Sequence, residues 1–368
     1  MTSRLFVLLV ALIGTTAPTA AQNDQALTIT GRVVGAESNE PLPRTHVFVS
    51  RSMNGTTTDS TGRFRLEDVP PGSKRLYVSR LGYKDEALNL RLKPGRALTL
   101  TFRLEKKVLK GPTVTVSGKR SEEWYERLRR FKRLFIGQSE RARRCSLVNP
   151  QVLQFEEKWW GKFEASARKP LVIENRALGY RLTYFLKEFE ERGSVVRWDG
   201  EPLFEPLTPT DSLQRARWRK NRRDAYRGSL RHFLRALLDD RLKEEQFDIY
   251  QLPRASAFRR TGRADRIPID RDQVVEPGPD STYLFDVRDR LEVIYRGEPE
   301  SEAYLEWADI RRRGPRRYQT SQIELNQHPI HIDPSGEIVE PYGATLHRYF
   351  AFTVRMAELL PREYEPPG

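Results

Sequence analysis

The chain has 368 residues, 31% of them charged, and a formal net charge of +14. One cysteine, Cys145, excludes an intramolecular disulfide, so hydrophobic cores must hold the protein together. The basic excess favours anionic neighbours, but Lys and Arg are interleaved with Glu and Asp throughout, the pattern of a solvated charged surface.

The first 21 residues read as a secretory signal. Arg4 supplies the positive end, Leu5 to Ile13 an apolar run of nine residues, and the small residues up to Ala21 a cleavage site before Gln22. The run is too short to cross a bilayer, which takes about 20 residues. An uncleaved N-terminal anchor is the alternative. No later segment is apolar enough to span, so the mature chain is expected to have no transmembrane segment. For an exported chain the anionic neighbours would be lipid head groups, an anionic surface polymer or an envelope protein, and not nucleic acid.

Residues 22–106 are expected to be all-β. Leu27 to Val34 alternates as a half-buried strand should. Pro41 and Pro43 lead into His46 to Val49. Asn54-Gly55 is a hairpin-turn signal, because both residues tolerate positive φ. Asp59-Ser60-Thr61-Gly62 and Pro70-Pro71-Gly72 are further turns. Leu76 and Val78 alternate with Tyr77 and Ser79, and Leu98 to Leu104 is the last clear strand. Strands at this spacing predict a sandwich.

Gly31-Arg32-Val33-Val34, Pro41-Leu42-Pro43, Val47-Phe48-Val49, Thr58-Asp59, Gly62-Arg63-Phe64, Val69-Pro70-Pro71-Gly72 and Gly82-Tyr83 carry a resemblance. The segment resembles the carboxypeptidase regulatory-like (transthyretin-like) domain of Bacteroidetes-type envelope proteins. The resemblance implies a non-catalytic, seven-stranded sandwich appended to other modules, and it implies no peptidase activity. Residues 107–120 read as a linker. Within it, Lys110 to Gly118 looks like the segment that follows this domain in TonB-dependent outer-membrane receptors. The remaining chain lacks the patterning of a large barrel.

Residues 121–368 are expected to form an α+β domain. Trp124, Leu128, Phe131, Leu134 and Phe135 place one apolar stripe on a helix over 121–144, capped by Ser121. Residues 150–205 read as strands, including Phe155 to Phe163, Leu171 to Ile173 and Tyr180 to Leu186. A helix over 211–245 presents Leu230, Phe233, Leu234, Leu237, Leu238 and Leu242 to a core, with Gly228 as a possible break. Strands are expected over 246–252 and 282–296, an exposed loop over 253–281, a hairpin over 330–338 and a helix over 344–360. Asn149-Pro150, Asn175 with Leu178-Gly179-Tyr180, Tyr226-Arg227-Gly228-Ser229 with His232-Phe233-Leu234, and Leu359-Leu360-Pro361 are similar to an uncharacterised region that follows the same β-domain in related envelope proteins. That likeness implies no known chemistry.

Catalytic signals are sparse. A zinc carboxypeptidase needs His and Glu three apart, and no histidine here has Glu at that position. His328, His331 and Asp333 are the nearest approach to a metal-ligand set, with hairpin residues beside a turn as the plainer reading. Cys145 with His232 is a candidate nucleophile pair, with the basic run Arg141, Arg143 and Arg144 able to lower the thiol pKa. A small packed side chain is the plainer role. Asp59, Asp68 and Asp85 read as turn caps before they read as calcium ligands. Trp159 with Trp160 and Phe163 could stack on a sugar. Strand alternation lets only one Trp do so, and core packing is the expected role. Arg311, Arg312, Arg313, Arg316 and Arg317 could form an anion patch, with a solvated loop as the default. These readings predict an exported, non-catalytic envelope protein that binds or scaffolds a protein partner or a surface glycan, without a cofactor. A hydrolase with a metal site in the C-terminal half and an accessory to a TonB-dependent transporter are the alternatives. The sequence leaves the oligomeric state open.

Overall fold

The computed structural model describes residues 26–93, 97–107, 120–253, 266–310 and 313–367. The expected signal, most of the expected linker with its receptor-like segment, the middle of the 253–281 loop, and Arg311 and Arg312 lie outside the described residues.

Alternating apolar residues build the N-terminal unit. Its strands are β1 (Leu27–Gly35), β2 (His46–Val49), β3 (Gly55–Thr57), β4 (Arg63–Val69), β5 (Gly72–Ser79), β6 (Glu86–Leu92) and β7 (Leu98–Leu104). They form two sheets, ordered β4-β1-β7 and β3-β2-β5-β6. Strand β1 runs antiparallel to β4 and parallel to β7. Ile29, Val33, Val47, Phe64, Leu76, Val78 and Phe102 fill the core between the sheets. This arrangement is mostly β and consistent with a sandwich.

Two strands depart from simple alternation. Phe48 is buried between Val47 and Val49, and Tyr77 between Leu76 and Val78. Both faces of this sheet are covered, because Phe48 and Tyr77 pack on Phe185 and Leu203 from the second half of the chain. The hairpin that Asn54-Gly55 signals does form, between β2 and β3 across residues 50–54. Gly55 opens β3 opposite Phe48, and the positive φ of the loop falls at Arg51, at 60°. The loop conformation is set from outside. Arg51 N–H donates to Pro202 O at 2.8 Å, Phe204 N–H to Ser52 O at 2.9 Å, and Arg362 N–H to Arg51 O at 2.8 Å. A Cβ at Gly55 would lie 2.7 Å from Leu203 Cδ1, so glycine is needed for close approach.

The next unit is a sheet with one helix across it. Helix α1 (Glu122–Phe135) is capped by Ser121, which accepts from Trp124 N–H, and it buries Phe131 and Phe135 as the stripe predicts. Strands β8 (Cys145–Leu147), β9 (Leu153–Glu157), β10 (Lys162–Ala167), β11 (Leu171–Asn175) and β12 (Tyr180–Arg192) lie in the order β8-β11-β12-β10-β9, and β13 (Val195–Pro206) pairs with β12. The expected strand over Phe155 to Phe163 is two strands, β9 and β10, joined by a turn that carries Trp159 and Trp160.

Helices α2 (Ser212–Tyr226) and α3 (Leu230–Leu238) replace the expected single helix. Gly228, at φ +67°, makes the break, and a Cβ there would lie 2.5 Å from Gln319 Oε1. Leu242 lies beyond α3, in the turn that leads to the next strand. Helix α2 grips the 175–179 turn: Trp218 Nε1 donates to Arg176 O at 2.9 Å, Asn221 to Ala177 O at 2.8 Å and Arg222 to Leu178 O at 2.7 Å.

Phe233, Leu234 and Leu237 of α3 enter a second core with Phe247, Leu291, Val293 and Ile323. That core lies on strands β14 (Phe247–Leu252), β15 (Ile267–Pro268), β16 (Val275–Pro277), β17 (Tyr283–Phe285), β18 (Arg290–Tyr295), β19 (Gln319–Leu325), β20 (Ile330–Ile332) and β21 (Ala344–Arg348). Their sheets are β15-β14-β18-β19-β21 and β16-β17-β20. Residues 282–296 therefore contribute to two sheets. The expected helix over 344–360 begins as β21, paired with β19, and only α5 (Tyr349–Thr353) after it is α-helical. Pairing with β19 decides this against local helix propensity. A short helix α4 (Glu302–Trp307) packs on α5. The chain after residue 121 is largely β with few helices.

Asn175 ties these units together. It is fully buried, its amide donates to Ala357 O at 2.9 Å, and its Oδ1 accepts from Ala177 N–H at 3.1 Å and Leu178 N–H at 3.0 Å. Asn175→Ala strands three buried polar groups. The expected cost is about 3 kcal/mol, read as a fall in the thermal midpoint of about 5 °C or more by calorimetry.

Candidate functional site

A cleft of about 850 Å³ opens where the sandwich meets both later units. One wall is the Ser50-Arg51 loop with β5 and β6. The others are β12 and β13, the α2–α3 junction, residues 336–344 and the C-terminal segment 353–362. Among the described residues the lining carries eight Arg or Lys and six Asp or Glu side chains. Volumes of roughly 300–1,000 Å³ are usual for sites that take small ligands.

Charges at the rim are mostly paired. Glu201 on β13 is 5% exposed and accepts from Ser50 Oγ, Arg75 Nε at 2.9 Å and Lys187 Nζ at 2.6 Å. Burial works to raise its carboxyl, and the bonds from Lys187, Ser50 and Arg75 more than offset this, holding it below the usual range. Arg51 pairs with Glu337 and Arg362 with Asp333. Arg231 donates to the carbonyls of Ser335, Pro361, Arg362 and Tyr364. Arg355 differs. Its guanidinium lies over the Trp198 ring, 4.8 Å from the centroid, and burial pushes it down to about 10.

The sequence-derived metal set does not converge. His328 Nδ1 meets Asp286 at 2.6 Å, His331 Nδ1 meets Glu340, and Asp333 is held by Arg362 and by Ser335 and Glu337 N–H. His331 and Asp333 do line the cleft. Among the described residues no group of three or more His, Cys, Asp or Glu is placed to hold a metal ion.

The Cys145–His232 pair is corrected. Cys145 packs against the core beneath α1, while His232 bonds to Glu245 at 3.1 Å and accepts from Gly228 N–H at 3.1 Å. Burial, then the Glu358 charge, pushes the Cys145 thiol up to about 12, and Arg141 does not reverse it. Asp59 caps its turn as read, accepting from Thr61 N–H at 2.8 Å and Arg63 N–H at 2.9 Å.

Arg313 forks onto the buried Glu300 at 2.6 and 3.1 Å, and Arg316 N–H donates to the same carboxylate at 3.1 Å. Arg313 thus has a structural partner, while Arg316 and Arg317 are exposed. Trp159 and Trp160 are not in a core: they are 92% and 52% exposed at the β9–β10 tip. The turn, not strand alternation, sets where they point.

Sequence reasoning missed Arg355, Trp198 and Glu201. No local signal marks them, since each matters only through partners far away in the chain.

Residues 28–105 match the family model of the carboxypeptidase regulatory-like domain. No curated protein matches the chain. Among solved structures, the catechol 1,2-dioxygenase of Acinetobacter sp. ADP1 is 11% identical over 26% of this chain and 59% of that one, with a TM-score of 0.20. The 3-chlorocatechol 1,2-dioxygenase of Rhodococcus opacus 1CP is 13% identical over 24% and 62%, with a TM-score of 0.21. The hydroxyquinol 1,2-dioxygenase of Pseudomonas putida DLL-E4 is 9% identical over 24% and 59%, with a TM-score of 0.20. The chain thus spans under two thirds of the length of these structures, and overlap at this level transfers no chemistry.

Three outcomes are expected. Iodoacetamide at about pH 8 leaves Cys145 unmodified in the folded protein and labels it after unfolding; mass spectrometry reads the difference. Trp159→Ala changes stability by less than about 0.5 kcal/mol in urea titrations, as an exposed site should. Burial holds His46, His232 and His347 below the ordinary histidine value. The unfolded chain therefore binds more protons, and their contribution to stability, full above pH ~6.5, falls as pH drops below it. His232→Gln flattens that slope in denaturant midpoints taken from about pH 7 to 5.

Proposed function

We propose that the chain is an exported, non-catalytic binding module of the cell envelope, and that its ligand is a segment of an anionic surface glycan or an acidic partner held in the cleft. The N-terminal unit serves as the seven-stranded accessory sandwich of the family it resembles, and here it supplies one wall of the site. The cleft carries this reading: three units converge on one cavity of ligand size whose lining holds more cations than acids. His328, His331 and Asp333, the candidate ligands of a hydrolytic metal site, are engaged by Asp286, Glu340 and Arg362.

The test is retention of the purified chain on immobilised acidic and neutral polysaccharides. Acidic polymer should retain it at about 0.05 M salt and release it by about 0.5 M, because screening shortens the reach of the cleft charges. Lys74→Gln, which removes a lining cation, should weaken retention. Equal behaviour on neutral polymer, or no loss in that variant, counts against the cleft as the site.

A further inference from the structure

The lining cation that stands apart is Arg355. Arg51, Arg75, Lys187 and Arg362 each meet a carboxylate, Arg231 is satisfied by four carbonyls, Lys74 donates to Pro71 O and Arg91 to Ser281 Oγ. The Arg355 guanidinium makes no ion pair or hydrogen bond to any described residue, and its one partner is the face of Trp198. Among the described residues no charged group acts on it, and it remains a cation. The side chain is half-buried and borders the cleft with no counter-charge among the described residues, a place that an anion on a ligand can take.

The position is built. Gly137 follows α1 at φ +110°, and a Cβ there would lie 3.0 Å from Arg355 Cβ and 3.2 Å from its Cγ. Glycine therefore lets the arginine stem pass the end of the helix. Ala357 N–H donates to Ile136 O at 3.1 Å and fixes the segment just beyond. Trp198 covers one face of the guanidinium, while the N–H donors lie in its plane and stay available. That fork matches two oxygens of one acidic group.

We infer that Arg355 is the anchor for an oxyanion, a carboxylate or a phosphate, on the ligand that enters the cleft. This rests on the binding role proposed above and names the group that is recognised. Placed over an indole, the guanidinium fork favours an acidic group that presents two oxygens to it over a diffuse negative charge.

The experiment is calorimetric titration of the purified chain with glucuronate, glucose and inorganic phosphate, followed in parallel by Trp fluorescence. Glucuronate should bind about tenfold or more tighter than glucose. Glucuronate above phosphate assigns a carboxylate, and the reverse order a phosphate. Arg355→Gln should erase the preference for the acid without changing weak binding of glucose. Arg355→Lys, which keeps the charge and loses the fork, should restore only part of it and covers the case in which the Gln variant does not fold. Equal affinity for glucuronate, phosphate and glucose in the parent protein overturns the anchor while leaving the cleft as a binding site. Persistence of the acid preference in both variants overturns it as well. Absence of binding by all three probes removes the anchor, and it removes the binding role too if acidic polymer also fails to retain the chain.

Discussion

The carboxylate of Glu201 sits where the sandwich touches the rest of the chain, and the cleft depends on that contact. Ser50 and Arg75 reach it from one side and Lys187 from its own sheet. Beside it, Phe48 stacks on Phe185 with centroids 5.0 Å apart, and Tyr77 meets the same ring edge-on at 5.7 Å. The aromatic contact supplies apolar burial, and the ion pairs fix the register of one sheet on the other. A buried carboxylate is tolerated because three donors compensate its lost hydration. Losing any one leaves charge uncompensated, so the interface behaves as a unit.

The last residues of the chain then close the structure. Ala357 bonds to the end of α1, and its carbonyl accepts from Asn175. Glu358 accepts from Ser139 and Arg141, and Arg362 joins the Arg51 loop. One short segment thus connects the sandwich, the first sheet and α3, which binds it through Arg231. Arg355 opens this clasp, so its position over Trp198 is a consequence of how the three units are held.

Much of the local structure was legible because it rests on short-range rules. The α1 stripe with its Ser121 cap, the Gly228 break and the Asp59 turn all follow from residues within a few positions of one another. The errors share a cause. Gly55 sits in β3 and not at the centre of its hairpin loop because a distant backbone holds that loop. Ala344 to Arg348 became a strand because β19 offers an edge. Trp159 and Trp160 left the core because one extended run was in fact a hairpin. The candidate site was less legible still. His331 and Asp333 were singled out and do border the cleft, though bound to Glu340 and Arg362 and not to a shared ion.

The sequence by itself determined the β-rich N-terminal unit, the positions of the long helices and the dependence on cores without disulfides, because periodicity, caps and composition are local properties. Tertiary structure alone decided which charges are neutralised. Arg313 and Arg355 look alike in sequence, one in a basic run and one near a chain end. Folding brings Glu300 to the first and only an indole ring to the second, and that difference in partners separates a structural ion pair from a cation left facing a cavity.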